Sequence, residues 1–242
     1  MESAHFYLIF VGIFLLSGLK QGLTGFGLGI VAMMLLPLIM PVPEATVAIT
    51  LVGAISILGS LGVFWKDVAW RETRPLLIGM SVGIPVGIFL LSTISPAIIT
   101  RFLGVVLLGT AVIQATLAPG QKFCLPQFLG LPIGMISGML GGAFNMGGPP
   151  VLVFLQSRLS TPKVLVATLQ MVFAVSMIVR SCLFVSFGFV TLHTVFLVVI
   201  GILPAWIGIM VAARFQRFLP QEVLRRIVLL ALFLMGLKYL FF

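Results

Sequence analysis

The chain has 242 residues, 61% of them hydrophobic and 8% charged, and its mean hydropathy is +1.29. A soluble globule of that composition could not cover its surface with polar groups, so the chain must face lipid, with room for roughly six to nine helices of about 20 residues and almost no extramembrane domain. A formal charge of +9 would suggest nucleic acid in a soluble protein, but basic residues flanking apolar spans are what membrane topology requires.

In chain order, residues 6–16 are apolar, preceded by Glu2 where a signal peptide would be basic, and without a small-x-small cleavage pattern, so they read as part of the mature fold. They lead into a glycine-rich stretch, Gly18-Leu19-Lys20-Gln21-Gly22-Leu23-Thr24-Gly25-Phe26-Gly27-Leu28-Gly29. The segment 5–40 is too long for one ordinary span, and its glycines divide it into arms of roughly 12 to 20 residues that cross poorly alone. A hairpin of half-helices fits that length. Full spans are predicted at 47–65, 75–91 and 100–117. A second glycine-rich segment, 126–156, repeats the hairpin pattern, and full spans follow at 164–187, 194–213 and 224–240. Helix-stop and turn signals separate the segments at Pro41-Val42-Pro43, Ser95-Pro96, Ala118-Pro119-Gly120, Thr161-Pro162 and Leu219-Pro220. Cys124 and Cys182 are far apart, without a CxxC or a nearby His, and read as packing residues.

The two halves overlay. Gly18, Gly22 and Gly25 match Gly134, Gly138 and Gly141 in spacing, Thr50-Leu51 matches Thr168-Leu169, and Pro96 with Arg101 matches Pro220 with Arg225 to within about a residue. The expected organisation is all-α and polytopic, with a first repeat at 1–118, a short linker at 119–125 and a second repeat at 126–242. Loop charge then orients the repeats. One arrangement places Lys66, Arg71, Arg74, Lys122, Arg158, Lys163, Arg214, Arg217, Arg225 and Arg226 inside and leaves only Arg101 and Lys238 outside. It requires each glycine segment to begin and end on one side, from outside in the first half and from the cytoplasm in the second, making the halves inverted repeats. The competing topology, one long kinked helix per glycine segment and parallel repeats, sets the basic 158–163 and 214–226 loops opposite the 66–74 loop.

Duplicated halves opened by interrupted helices are a sequence mark of transporters with a central binding site. Half-helix N-termini present unpaired N–H groups and favour anions. Gly25, Gly27 and Gly29 in the first hairpin, with Asn145, Gly147, Gly148 and Pro149 in the second, are therefore the candidate substrate-binding positions. Gly18, Gly22, Gly134 and Gly138 read instead as small residues for close helix packing. Arg180 lies inside an apolar helix with no intramembrane carboxylate to pair with, which suits an anionic substrate better than snorkelling does. Lys20 carries the same argument more weakly. Gln170, Thr168, Thr50 and Gln114 are candidates for polar lining. Glu44, Asp67, Glu72 and Glu222 fall near interfaces, and His5 and His193 form no cluster with cysteine, so no metal, cofactor or enzyme chemistry is expected.

The motifs Gly22-x-x-Gly25-x-Gly27-x-Gly29 and Gly138-x-x-Gly141-Gly142-x-x-Asn145-x-Gly147-Gly148-Pro149-Pro150 resemble those of the TauE/SafE family of sulfite exporters and related anion permeases, as do the size and the duplication. That resemblance implies movement of sulfite, sulfonates or related organosulfur anions across a bacterial inner membrane, and an outward direction. The expected mechanism is alternating access by movement of one half against the other. The expected partners are a small anion and the lipid bilayer, with a homo-oligomer allowed and no nucleic acid. An anion channel and a non-transporting scaffold or assembly subunit stand as alternatives.

Overall fold

The computed structural model describes residues 4–116, 124–215 and 221–241. Lys122, Arg217, the Leu219-Pro220 and Ala118-Pro119-Gly120 breaks and the side chain of Arg225 lie outside the described residues. Ten α-helices are described: α1 Ala4–Thr24, α2 Leu28–Leu35, α3 Val42–Phe64, α4 Trp70–Thr93, α5 Pro96–Thr116, α6 Gly130–Phe144, α7 Gly148–Arg158, α8 Pro162–Ser186, α9 Leu192–Phe215 and α10 Gln221–Phe241. The described residues hold no strand, and the fold is the all-α polytopic one expected.

Six helical segments are long and apolar enough to cross a membrane: α1, α4, α5, α6 with its leading turn (Gln127–Phe144), α8 and α9 over Leu192–Ala212. Predicted spans 75–91, 100–117, 164–187 and 194–213 fall on four of these. The other two predicted spans fall on α3 and α10. The first hairpin differs from expectation, because its leading arm is a helix of 21 residues, long enough to cross alone. Gly18 and Gly22 do not interrupt it, since a glycine inside a helix costs only about 1 kcal/mol and both are pressed against the backbone of α9 at Ala205 and Ile209. The helix breaks only at Gly25, where φ is +76°, a conformation glycine adopts freely. In the second hairpin the break falls at Asn145, φ 54°, whose N–H bonds Gly141 O while that of Met146 reaches Leu140 O at 3.3 Å. This is a left-handed helix cap that asparagine tolerates better than other non-glycine residues. Pro149 and Pro150 then occupy the first turn of α7, where a missing N–H costs no helical hydrogen bond.

Packing exchanges elements between the halves. Gly18, Gly22 and Gly208 bring α1 and α9 together with their backbones touching, and Gly79, Gly83, Gly87, Gly134, Gly138 and Gly142 do the same for α4 and α6. The order of contacts along each pair shows both to be parallel. The α3 and α8 helices run antiparallel instead: Gly53 of α3 meets Met177 of α8, Ala69 N–H donates to Thr168 Oγ1 at 3.0 Å, and Lys163 pairs with Asp67 at 2.9 Å. Outward-facing Ile78, Val82 and Phe89 on α4, and Val199, Leu203 and Met210 on α9, form apolar flanks fit for lipid.

One end of the bundle gathers the basic loops. Arg158, at the end of α7, forms a two-point ion pair with Glu72 of α4 (2.6 and 3.1 Å) and donates to Leu125 O at 2.7 Å. At the other end His193, at the start of α9, meets Glu44 of α3 at 2.7 Å. The α6–α7 hairpin thus leaves and returns at the end where α4 and α8 begin, and α2 leads back to the end where α3 and α9 begin. Cys124 and Cys182 are both exposed, so neither is the buried packing residue expected; Cys182 lies on an outward face of α8, where a small apolar thiol is at no disadvantage beside lipid.

Candidate functional site

The two hairpin tips and one face of α8 line a partly open central cavity of about 40 Å³, room for about three waters and so for an ion of a few heavy atoms. Its wall takes Gly27, Gly29 and Ile30 from the first hairpin, Gly141, Asn145, Gly147 and Gly148 from the second, and Phe173, Ser176, Met177 and Arg180 from α8. The last four recur at helical spacing and share one face.

Arg180 is only 3% exposed. Its Nη1 donates to Asn145 Oδ1 at 2.5 Å and to Gly141 O at 2.6 Å, and its Nε reaches Ser176 O at 3.3 Å. These are uncharged acceptors. Among the described residues no carboxylate pairs with it, and Nη2 has no acceptor, so the full charge is fixed in place and delivered to the cavity wall. A charge at that depth costs a few kcal/mol on insertion scales unless something answers it.

Asn145 holds this arrangement. Its Oδ1 also accepts from Thr50 Oγ1 at 3.0 Å, and its Nδ2 donates to Thr46 O at 2.8 Å. The single Thr46 hydroxyl proton is shared between Val42 O at 2.8 Å and Ala143 O at 3.0 Å. The amide oxygen is therefore committed to Thr50 and Arg180 and one amide N–H to Thr46, which fixes the side chain so that it orients the guanidinium. Opposite it, Gly29, in the first turn of α2, lies so close to Asn145 that a Cβ would collide with Asn145 O. Gly29 and Ile30 supply first-turn N–H groups, which have no partner within a helix. The neighbouring Leu28 N–H is already bound by Gln21 Oε1 at 3.2 Å. At the start of α7 the two prolines remove donors, leaving Gly148 to face the cavity, while Ser137 Oγ donates to Gly147 O and pins the turn.

Of the sequence-predicted positions, the structure brings Gly27, Gly29, Asn145, Gly147, Gly148 and Arg180 to one cavity. Pro149 is buried in the first turn of α7 behind it. Gly25 and Gln170 meet each other beside it: Gln170 Nε2 donates to Gly25 O at 2.5 Å, while its Oε1 is buried without a partner. Lys20 does not line the cavity; its Nζ lies 5.2 Å from the centre of the Phe26 ring, which does. Thr168 is used by the backbone of Ala69, away from the cavity. Sequence reasoning missed Gln21, Thr46, Phe26 and Phe173. Gln21 carries a signal in hindsight, a polar side chain one turn before the helix break; the two phenylalanines carry none in a chain rich in them.

Comparison with known proteins agrees with this architecture. The family model described as sulfite exporter TauE/SafE matches residues 9–239. The chain is 27% identical over 180 residues to a probable inner membrane transporter protein TsaS of Comamonas testosteroni, covering 73% of this chain and 74% of that protein. It is 29% identical over 168 residues to a probable sulfite/organosulfonate exporter TauE of Cupriavidus necator, covering 66% of this chain and 65% of that protein, just under two thirds of its length. No solved structure matches. With a family match running over nearly its whole length, the chain belongs to the sulfite exporter TauE/SafE family of membrane transporters.

Proposed function

We propose that this transporter carries a small sulfur oxyanion, sulfite or a small sulfonate, outward across the bacterial inner membrane by alternating access, and that the cavity beside Arg180 is its binding site. The observation that carries the reading is Arg180 itself: a cation 3% exposed, held by neutral acceptors, with a free Nη2 edge at a cavity into which the first turn of α2 points. Guanidinium and backbone N–H groups together offer donors without acceptors, the pattern an oxyanion needs. The 40 Å³ volume suits a compact ion, and a larger sulfonate requires the hairpin tips to part. An inside-negative potential favours expelling an anion, so outward movement needs no acidic coupling residue.

The same reading takes 1–118 and 126–242 as inverted repeats. Its support is the antiparallel course of α3 against α8 and the return of each hairpin to the end it came from, at opposite ends for the two hairpins. Because α1 is locked to α9 and α4 to α6 through glycine contacts, the bodies that rock combine helices from both halves, in place of one sequence half moving against the other.

The test is uptake of radiolabelled sulfite into proteoliposomes under an imposed potential, with the wild-type protein, Arg180→Ala and empty vesicles. Saturable flux that falls at least tenfold in the variant is expected. Wild-type flux in Arg180→Ala removes Arg180 from the path, and absence of flux for sulfite and a sulfonate panel overturns the substrate class.

A further inference from the structure

We infer that Lys20 forms a second, inner anion site, separated from the Arg180 cavity by the ring of Phe26, which acts as the gate between them. The inference rests on the anion reading of the Arg180 cavity and extends it to the path by which the ion arrives.

Lys20 is 8% exposed, and its Nζ has one hydrogen-bond acceptor, Thr24 Oγ1 at 3.2 Å. No carboxylate among the described residues pairs with it. It is thus the second cation that the fold buries without a counter-charge. Its stem packs on Gly27, where a Cβ would stand 3.3 Å from Lys20 Cγ and 4.0 Å from Nζ. Gly27 and Phe26 also line the Arg180 cavity, so this single loop contacts one buried cation and borders the cavity of the other. Phe26 shares that wall with Phe173, and both rings face Gly148 at the start of α7, 3.9 and 3.5 Å from where its Cβ would be. The partition is aromatic and thin.

The loop is built to move. Phe26 is flanked by Gly25 and Gly27, with φ of +76° and +109°, and belongs to neither α1 nor α2. Its carbonyl is held by Thr24 Oγ1, whose one proton is shared between Phe26 O at 2.6 Å and Lys20 O at 2.9 Å, and which is the same hydroxyl that accepts from Lys20 Nζ. The ammonium has two further N–H donors, so an oxyanion arriving at Nζ binds beside Thr24, next to the hydroxyl that holds the Phe26 carbonyl. Position gives the direction. Gly25 touches Val166 and Gln170 of α8, about one to two turns from Lys163 and the basic end of the bundle, which the positive-inside rule makes cytoplasmic. Arg180 lies ten residues further along α8 than Gln170, about 15 Å at helical rise. An ion leaving the cytoplasm therefore meets Lys20 first, then Phe26, then Arg180.

The experiment compares radiolabelled sulfite transport in inside-out and right-side-out membrane vesicles for the wild type, Lys20→Gln, Lys20→Arg, Phe26→Ala, Phe26→Leu and Arg180→Ala, each checked for a monodisperse purified peak. Lys20→Gln is expected to raise the KM measured from the cytoplasmic face at least about fivefold more than that from the outer face, and Lys20→Arg to restore it. Phe26→Ala is expected to lose counterflow while passing the anion down its gradient, with Phe26→Leu intermediate. Equal KM changes from both faces in Lys20→Gln, or intact counterflow in a well-folded Phe26→Ala, overturns the inner site and its gate. Arg180→Ala separates the two readings: wild-type transport there defeats the underlying anion cavity, whereas its loss alongside a symmetric Lys20 phenotype leaves the cavity standing and rejects only the inner site.

Discussion

Asn145 does two things that are usually done by different residues. It closes α6 in a left-handed conformation, φ 54°, and its carbonyl oxygen takes one of the two short bonds from Arg180 Nη1. Asn145→Asp separates structure from charge. Aspartate tolerates the same backbone region and still accepts from Thr50 and Arg180, but its charge neutralises the guanidinium, and it loses the donor to Thr46 O. Folding should survive, with a detergent melting temperature within a few degrees of wild type, because a buried ion pair replaces a charge–dipole contact. Sulfite flux should fall at least tenfold, since an anion no longer finds an unanswered cation; flux at the wild-type level would show that the charge of Arg180 is not what the substrate uses. Asn145→Ala should destabilise by about 1–3 kcal/mol through unsatisfied buried partners, with added backbone strain, while keeping the positive charge and a residual saturable flux. Arg180 and Asn145 stand out in the sequence because a cation in an apolar run and an amide among glycines both cost free energy to bury. That they touch is not legible there, since they are 35 positions apart in sequence with a helix hairpin between them. Phe26 is invisible for the opposite reason: one more phenylalanine in lipid-facing sequence costs nothing and so signals nothing.

Among the helices, glycines divide into those that need the missing Cβ and those that do not, and the division decides stability. Gly83 of α4 presses on the carbonyl of Met135 in α6, with Met139 N 2.9 Å from where a Cβ would be. Gly109 of α5 has nothing within 4 Å. Gly83→Val should therefore force the two backbones apart and cost at least about 1–3 kcal/mol, as overpacking does, lowering the detergent melting temperature by several degrees. Gly109→Ala should be neutral or raise stability by about 0.5–1 kcal/mol by removing backbone freedom. Equal melting temperatures for the two variants would mean that the α4–α6 contact is not a rigid one. The small-xxx-small spacing made Gly134 and Gly138 readable as packing residues, but their partners were not readable, because nothing in a sequence pairs the sixth helix with the fourth. The length of α1 exceeds the sequence expectation for a related reason: counting glycines as breakers ignores that a helix held backbone-to-backbone by a neighbour recovers more than the roughly 1 kcal/mol each glycine costs.

At the scale of the whole molecule the question is which ends face the same compartment, and here loop charge and geometry bear on one another independently. Loop charge asks that 66–74 and 158–163 share a side. The ion pairs Arg158–Glu72 and Lys163–Asp67 require them to share an end of the bundle. Parallel repeats with a kinked full span at each glycine segment would separate these loops by the thickness of the hydrocarbon core, about 30 Å, and neither pair could form. Single cysteines make the distinction measurable once Cys124 and Cys182, both exposed, are changed to serine. Lys66→Cys and Ser160→Cys should react with a membrane-impermeant maleimide only in inside-out vesicles, and Ser95→Cys, at the α4–α5 turn, only in intact cells. Labelling of positions 66 and 160 from opposite faces would defeat the inverted arrangement and with it the two-sided access that places Lys20 and Arg180 in series. Labelling from the same face leaves the second hairpin no course but to enter from the cytoplasm and return, so that its tip at Asn145 meets Arg180 and abuts Gly29 of the first hairpin.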